Sequence, residues 1–158
     1  MVIPSGDPYM RINKAIAGPK ERLAMCERAL DDLSDLAQDK TVVLDIEVTR
    51  KGPTYTFDTL QSLKAFFPKD EFTLIIGTDA AFSFDKWKRA EDLKKMADVL
   101  VVKRPGESKS EFKEVEIQAL DISATKVREE LAKGTFNPQA LSKSVMGYIK
   151  ERGLYGSK

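Results

Sequence analysis

Gln118-Ala-Leu-Asp-Ile-Ser-Ala-Thr-Lys-Val-Arg128 has the pattern of a short apolar strand that runs directly into an α-helix. Ser123 is a favoured N-cap residue for that helix. Lys126 and Arg128 lie in the first turns, where the helix dipole already supplies positive potential and disfavours cations. The hydroxyls of Ser123 and Thr125, unpaired backbone N–H groups and two cations at one helix start indicate an anion site, with phosphate as the favoured ligand. The alternative is a plain N-cap with solvated charges, offset by the two glutamates that follow.

Length and composition predict a single domain over residues 1–158. The chain has 158 residues, of which 42% are apolar and 32% are charged, as is ordinary for a globular protein. The formal net charge is +1, so charge gives no argument for a nucleic-acid or membrane partner. No apolar run approaches the ~20 residues of a membrane span, and the first residues lack a signal-peptide pattern. We therefore expect a cytoplasmic protein.

The cysteine and histidine content narrows the possible chemistry. Cys26 is the single cysteine, which excludes an intramolecular disulfide and suits a reducing compartment. It lies on the apolar side of a helical pattern, which favours a packed thiol over a nucleophile. The chain contains no histidine, which removes histidine metal ligands and imidazole acid–base chemistry.

Apolar spacing predicts an alternation of strands and helices. Met1–Ile3 is expected to be the last part of a strand, and further strands are expected over Thr41–Val48, Phe72–Ile76, Asp98–Val102 and Val115–Leu120. Helices are expected from Gly18 through Ala37, over Phe57–Phe67 with Thr56 as N-cap, and over Ala80–Phe84, Ala90–Met96, Ser123–Lys133 and Gln139–Arg152. The short, largely apolar run Phe72–Ile76 is typical of a strand buried on both faces. The pattern predicts an α/β fold with a mostly parallel sheet and helices on both faces.

Polar clusters follow the predicted strands. In parallel sheets, ligands bind beyond the carboxyl ends of the strands, so clusters at these positions indicate a binding site. The clusters are Pro4–Arg11, Thr54–Thr56, Gly77–Asp79, Arg104–Gly106 and Ser123–Arg128. Their shared position favours the anion site over the plain N-cap.

Several motifs in this order resemble the bacterial nicotinate-nucleotide adenylyltransferases, of the nucleotidyltransferase superfamily with a Rossmann-like fold. The matching segments are Ile3-Pro-Ser-Gly-x-Pro8, Gly52-Pro-Thr-Tyr-Thr-x-Asp-Thr-Leu60, Gly77-Thr-Asp79 with Trp87, Arg104-Pro-Gly106, Ile122-Ser-Ala-Thr-x-x-Arg128, and Val145-x-x-Tyr-Ile with Leu154-Tyr155. They cover nearly the whole chain. The second and fifth segments are the most specific.

The resemblance implies adenylyl transfer from ATP to nicotinate mononucleotide, assisted by Mg²⁺, with small-molecule nucleotides as the partners. It implies that Ser123, Thr125 and Arg128 hold the ATP phosphates, with Ile122 near the adenine. It further implies a mononucleotide side in which Trp87 lies against the pyridine ring, formed by Thr54, Thr56, Asp79, Trp87 and Arg104. Each residue also has a plainer interpretation: the threonines and Asp79 as caps or turns, Trp87 as a core anchor, and Arg104 as part of a turn.

The chain departs from the family at its start. The family begins with a Gly-x-Phe-Asp-Pro-x-His-x-Gly-His segment whose histidines stabilise the reacting phosphates, and this sequence has no such segment. We expect Met1 to be an internal methionine of a protein longer by one βα unit. The alternative is a natural truncation that leaves either a catalytically silent nucleotide-binding chain or a subunit completed by another chain. A sister adenylyltransferase for another phosphorylated acceptor, such as pantetheine phosphate, also stays open. So do the choice of nicotinate or nicotinamide mononucleotide and the formation of a homo-oligomer.

Overall fold

The computed structural model describes residues 1–7, 17–103, 109–117, 122–135 and 139–157. The chain divides into two compact units. The first unit combines Met1–Thr54 with Asp121–Lys158, and the second unit is Tyr55–Leu120. Whether the whole chain behaves as one domain stays a prediction.

The described residues form α-helices, two 3₁₀ turns and three strands. The helices are α1 Pro19–Asp31, α2 Asp35–Gln38, α3 Thr56–Phe66, α4 Thr78–Phe82, α5 Ala90–Met96, α6 Ala124–Ala132 and α7 Lys143–Glu151, with 3₁₀ turns at Phe84–Lys86 and Leu154–Gly156. The strands are β1 Thr73–Gly77, β2 Asp98–Lys103 and β3 Lys113–Glu116. No helix among the described residues is long and apolar enough to cross a membrane.

The second unit is built on the parallel sheet that the sequence predicts. Strand β2 lies in the centre and pairs in parallel with both β1 and β3, with Val101 opposite Ile76 and Glu114. Helices lie on both sides of the three parallel strands. Phe84, Leu93 and Val101 are 1% exposed or less and form the centre of this unit's core. The predicted α/β class is confirmed.

One predicted strand property is wrong. The side chains of a strand alternate between its two faces, and in β1 only one face is covered. Ile76 is 9% exposed, whereas the neighbouring Ile75 is 64% exposed. Within the described sheet, β1 pairs with β2 alone. The run is therefore not buried on both faces, although its composition is typical of such strands.

The predicted strand Thr41–Val48 is also wrong in most of its length. Val43 forms a single parallel bridge to Val2, with backbone bonds of 2.7 Å from Val2 N to Val42 O and 3.0 Å from Leu44 N to Val2 O. A turn replaces the rest, in which the backbone N–H of Thr49 donates to the Asp45 carbonyl at 3.0 Å. β-branched residues extend a strand only where a partner strand supplies hydrogen bonds.

Helix α1 ends at Asp31, before the predicted end at Ala37. The residue that follows it, Asp32, contacts helix α7. Asp32 has φ −96° and ψ 1°, and its carboxylate accepts hydrogen bonds from the Ser144 backbone N–H at 2.9 Å and the Ser144 hydroxyl at 3.1 Å. Asp32 thereby caps the N-terminus of α7, satisfying a backbone N–H that has no partner within the helix. Helix α7 accordingly starts at Lys143 and not at Gln139.

Other helix ends agree more closely. Helix α5 has the predicted bounds, and α6 differs from its prediction only in the two capping residues. In α3 the N-cap is Tyr55, so the prediction of Thr56 as N-cap is wrong by one residue.

The first unit's core packs around α6 and α7, with Leu131 4% and Ile149 2% exposed.

Gly147 lies within α7, and a Cβ added there would have nothing within 4 Å. Glycine inside a helix costs about 0.5–1 kcal/mol relative to alanine. We expect Gly147→Ala to raise the free energy of unfolding by about that amount, measured from urea unfolding curves. A lower unfolding midpoint in the variant would contradict the open environment of this position.

The hydroxyl of Ser142, with the backbone N–H and hydroxyl of Ser144, lowers the pKa of Asp32. A lowered pKa contributes stability above the unfolded-state pKa, and this contribution is lost as the pH falls through the folded-state pKa. We expect Asp32→Ala to be less stable than the parent near neutral pH, with the difference shrinking in acid. Unfolding at several pH values measures this, with exposed Asp39→Ala as control. A difference that persists below both pKa values would contradict the capping role.

Candidate nucleotide site

The N-terminus of α6 has the cap that the sequence predicts. Ser123 is extended, with φ −111° and ψ 139°, and its hydroxyl oxygen accepts a hydrogen bond from the Lys126 backbone N–H at 3.1 Å. This bond satisfies one of the N–H groups at the helix start. The remaining N–H groups of the first turn and the helix dipole favour an anion at this point.

Arg128 completes this helix start. Its Nη2 donates to the Thr125 hydroxyl oxygen at 3.3 Å, so the guanidinium lies back along the first turn. Arg128 and Ile122 are half-buried, whereas Ser123 and Thr125 are exposed. The hydroxyl oxygens of Ser123 and Thr125 thus both accept a hydrogen bond within the helix start. Each hydroxyl accepts one bond and keeps its O–H to donate, and the guanidinium has further N–H donors.

A cavity of about 280 Å³ adjoins the same helix. Its lining is mainly apolar and comes from α1, α6, α7, the C-terminal 3₁₀ turn and the residues just before α6 and α7, including Met25, Ile122, Val127, Arg128, Leu141 and Tyr155. Ile122 and Arg128 therefore belong both to the cavity lining and to the helix start. An apolar space beside hydrogen-bond donors and a guanidinium has the composition that small-molecule sites usually show.

Thr54 belongs to a second local arrangement, around the loop that follows Ile3. Its hydroxyl lies 3.3 Å from the Ser5 hydroxyl, and its backbone N–H donates to the Asp7 carbonyl at 2.9 Å. Thr54 is only 4% exposed. It therefore fixes the loop over residues 4–7.

Arg22 holds the same loop from α1. Its guanidinium donates to the carbonyl oxygens of Ser5 at 2.5 Å, Gly6 at 2.7 Å and Ala17 at 2.6 Å. Hydrogen bonds from a charged donor are roughly twice as strong as neutral ones. Sequence reasoning missed Arg22, because an arginine on a predicted helix gives no sign that its partners are backbone carbonyls.

The remaining predicted residues lie in the second unit. Thr56 is the first residue of α3, and Asp79 lies in the first turn of α4, directly after β1. Thr56 is half-buried and Asp79 is exposed. Arg104 lies outside the described residues, next to the end of β2 at Lys103.

Trp87 is both anchored and accessible. Its ring stacks on Phe84, with centroids 5.1 Å apart and an interplanar angle of 26°, and Phe84 is 1% exposed. The Trp87 side chain remains half-buried. One ring face is thus occupied by the core, which matches the plainer interpretation. Partial exposure leaves ring surface for a planar ligand.

Ionisable groups in the described residues show no metal centre and no activated thiol. No group of three or more Asp, Glu or Cys side chains there is placed to hold a metal ion. Burial, with a smaller contribution from Glu27, raises the pKa of the half-buried Cys26 thiol. A raised pKa keeps the thiol protonated at neutral pH, as expected for a packed cysteine.

The sequence matches known proteins over almost its full length. The cytidylyltransferase-like family profile matches residues 1–130. The chain is 32% identical over 168 residues to the probable nicotinate-nucleotide adenylyltransferase of Dehalococcoides mccartyi, covering 97% of this chain and 80% of that relative. It is 33% identical over 159 residues to the protein of the same name from Geobacillus thermodenitrificans, covering 99% and 71%.

Solved structures agree on the fold. The nicotinic acid mononucleotide adenylyltransferase of Plasmodium falciparum, complexed with NaAD, superposes with a TM-score of 0.80 at 20% identity, covering 99% of this chain and 82% of that one. A structure of the same Plasmodium enzyme complexed with APC gives a TM-score of 0.74, covering 90% and 78%. The fold is therefore that of the Rossmann-like nucleotidyltransferases. Within that class, the chain belongs to the cytidylyltransferase-like family, in its nicotinate-nucleotide adenylyltransferase group.

Gly6 is the tightest point of the loop. A Cβ there would overlap the Glu47 carbonyl oxygen and lie 2.9 Å from Thr54 Cγ2. We expect Gly6→Ala to lower the free energy of unfolding by about 1–3 kcal/mol, because the backbone must shift to admit the methyl group. Urea unfolding measures the loss, and Gly147→Ala is the matched control. Equal or greater stability in Gly6→Ala would show that the loop does not pack as described.

Proposed function

We propose that this chain transfers an adenylyl group from ATP to nicotinate mononucleotide, giving nicotinate adenine dinucleotide and pyrophosphate. The observation that carries the proposal is the identity of 32% and 33% to two probable nicotinate-nucleotide adenylyltransferases over nearly the whole chain. The residue roles follow from the family resemblance, and the contacts of Arg128 and Trp87 are compatible with them.

The ATP phosphates are assigned to the start of α6. The Ser123 and Thr125 hydroxyls donate to phosphate oxygens, and the half-buried Arg128 guanidinium supplies a fixed positive charge beside them. The helix N-terminus adds backbone N–H groups and its dipole. The adenine is assigned to the apolar surface at Ile122, which lines the adjoining cavity.

The mononucleotide is assigned to Thr54, Thr56, Asp79, Trp87 and Arg104. Trp87 offers an aromatic surface whose opposite face is held by Phe84, which suits stacking of a pyridinium ring. Thr54 acts through the loop that it fixes, since its hydroxyl is buried against Ser5. Arg104 follows β2 and carries the charge suited to a phosphate.

The reaction requires positioning of the two substrates and no covalent bond to the protein. An oxygen of the mononucleotide phosphate attacks the α-phosphorus of ATP, and the bond from that phosphorus to the bridging oxygen breaks as pyrophosphate leaves. Because no enzyme-bound covalent intermediate is required, alignment of the two phosphates and neutralisation of their charge supply the catalysis. Mg²⁺ would enter with ATP as part of that substrate and would supply further positive charge to the reacting phosphates.

A second candidate is a nucleotide-binding chain without turnover. It is favoured by the complete lack of histidine, which leaves Arg128 and the α6 N-terminus to neutralise the charge on the transferred phosphate.

In either case we place the protein in the cytoplasm, where a single half-buried thiol such as Cys26 stays reduced.

The test is turnover by this chain together with an Arg128→Gln variant. We expect pyrophosphate release that requires both nucleotides. In Arg128→Gln, kcat/KM for ATP should fall about 100-fold, which corresponds to roughly 2.7 kcal/mol of lost transition-state stabilisation. The KM for the mononucleotide should change little.

Lys133→Gln is the matched control, because it removes one positive charge at the opposite end of α6. It should leave the ATP kinetics close to those of the parent. Binding of both nucleotides without pyrophosphate release would overturn the transfer step in favour of the silent chain. A preference for another phosphorylated acceptor would overturn the assignment of nicotinate mononucleotide.

A further inference from the structure

Lys88, the residue after Trp87, is tied to the start of α3. Its Nζ lies 2.9 Å and 2.8 Å from the two carboxylate oxygens of Asp58. The same ammonium lies 4.4 Å from the centre of the Tyr55 ring. Two oxygens and one ring face fix the position of this group, although the Lys88 and Asp58 side chains are 40% and 30% exposed.

Arg89 reinforces this attachment. It has φ 56° and ψ 45°, a left-handed conformation that is uncommon for a residue other than glycine. Its guanidinium lies 4.1 Å from the centre of the Phe57 ring, and its Nε donates to Asp92 at 2.7 Å. Such a conformation persists where the surrounding contacts determine it. The chain therefore makes a fixed turn at Lys88 and Arg89, directly after Trp87.

These contacts converge on one turn of helix. Lys88 and Arg89 contact Tyr55, Phe57 and Asp58, the residues on both sides of Thr56. The backbone that carries Trp87 is thus fixed to the backbone that carries Thr56. The ring of Trp87 also stacks on Phe84.

We infer that Lys88, through its ion pair with Asp58 and its contact with Tyr55, is a positioning residue that holds Trp87 in register with Thr56 for the pyridine ring of the mononucleotide. This inference rests on the proposed function. Exposed ion pairs usually contribute little to stability, so the pair's effect should appear in ligand binding more than in folding. Removing the Lys88 ammonium leaves the backbone after Trp87 with fewer attachments, and the ring samples orientations that do not bind the mononucleotide.

The test uses Lys88→Met, Asp58→Asn and the double variant, with Trp87 as reporter because it is the only tryptophan in the chain. In each variant we expect lower steady-state fluorescence anisotropy of Trp87 and stronger quenching by acrylamide. The KM for nicotinate mononucleotide should rise about tenfold, with kcat and the KM for ATP changing by less than about twofold. The double variant should be no worse than either single variant, since the two residues act as one unit.

Lys88→Arg should restore most of the parent behaviour, because it keeps the charge and the reach to Asp58. Lys95→Met removes a more exposed ammonium from the end of α5 and should change none of these readouts. Unchanged anisotropy and quenching in Lys88→Met would overturn the inference. Equal increases in the KM values for both nucleotides, together with a lower melting temperature, would also overturn the inference, because they indicate a merely structural role.

The proposed function and the positioning role of Lys88 can be disproved independently of each other. If the parent chain neither binds nor converts nicotinate mononucleotide, the proposed function fails, whereas the Trp87 anisotropy and quenching of the variants still decide whether Lys88 fixes that ring. If the parent is active and Lys88→Met keeps its KM for the mononucleotide, only the positioning role fails.

Discussion

Parallel pairing of β2 with a strand on each edge is the constraint on which the second unit depends. Val101, at the middle of β2, is completely buried, and both neighbours run in the same direction. Parallel strands end at one edge, so the segments after β1 and β2 leave the sheet on the same side. Asp79 therefore emerges at the same edge as the end of β2, and α4 packs against both strands. The sheet thus determines that the polar residues following β1 and β2 lie at its carboxyl edge.

Long cationic side chains hold backbone segments in place in both units. Arg22 donates to three backbone carbonyls around the first loop, and Lys88 fixes the Trp87 segment to α3. Neither residue needs to touch a nucleotide to affect binding. Arg128 differs from both, because its described partner is a hydroxyl one turn away on the same helix. Its charge is accordingly the one assigned to phosphate.

The parts of the structure that depend on local sequence are the parts that could be predicted. The Ser123 cap and the bounds of α5 rest on residues within a few positions of each other, and both agree with the structure. Contacts between distant residues could not be predicted. Asp32 meets Ser144 across 112 positions, and that contact ends one predicted helix and delays another. Lys88 meets Asp58 across 30 positions, and nothing in the spacing of either residue indicates its partner.

Strand predictions failed for a related reason. β-branched composition describes a surface suited to a sheet, but a strand forms only where another strand pairs with it. Thr41–Val48 has the composition, yet only Val43 is paired. Ile75 belongs to an apolar run, yet its face of β1 is exposed. The residue pattern therefore identified the fold class, whereas pairing determined how much of each strand exists.

A fluorescence titration of Trp87 with nicotinate mononucleotide tests the central claim most directly, because the chain has no other tryptophan. If Trp87 forms the pyridine-binding surface, its emission should change saturably with the mononucleotide, and Trp87→Phe should abolish the signal. No saturable change, in a protein that melts cooperatively and whose Trp87 is quenched normally by acrylamide, would contradict the claim that this segment binds the mononucleotide.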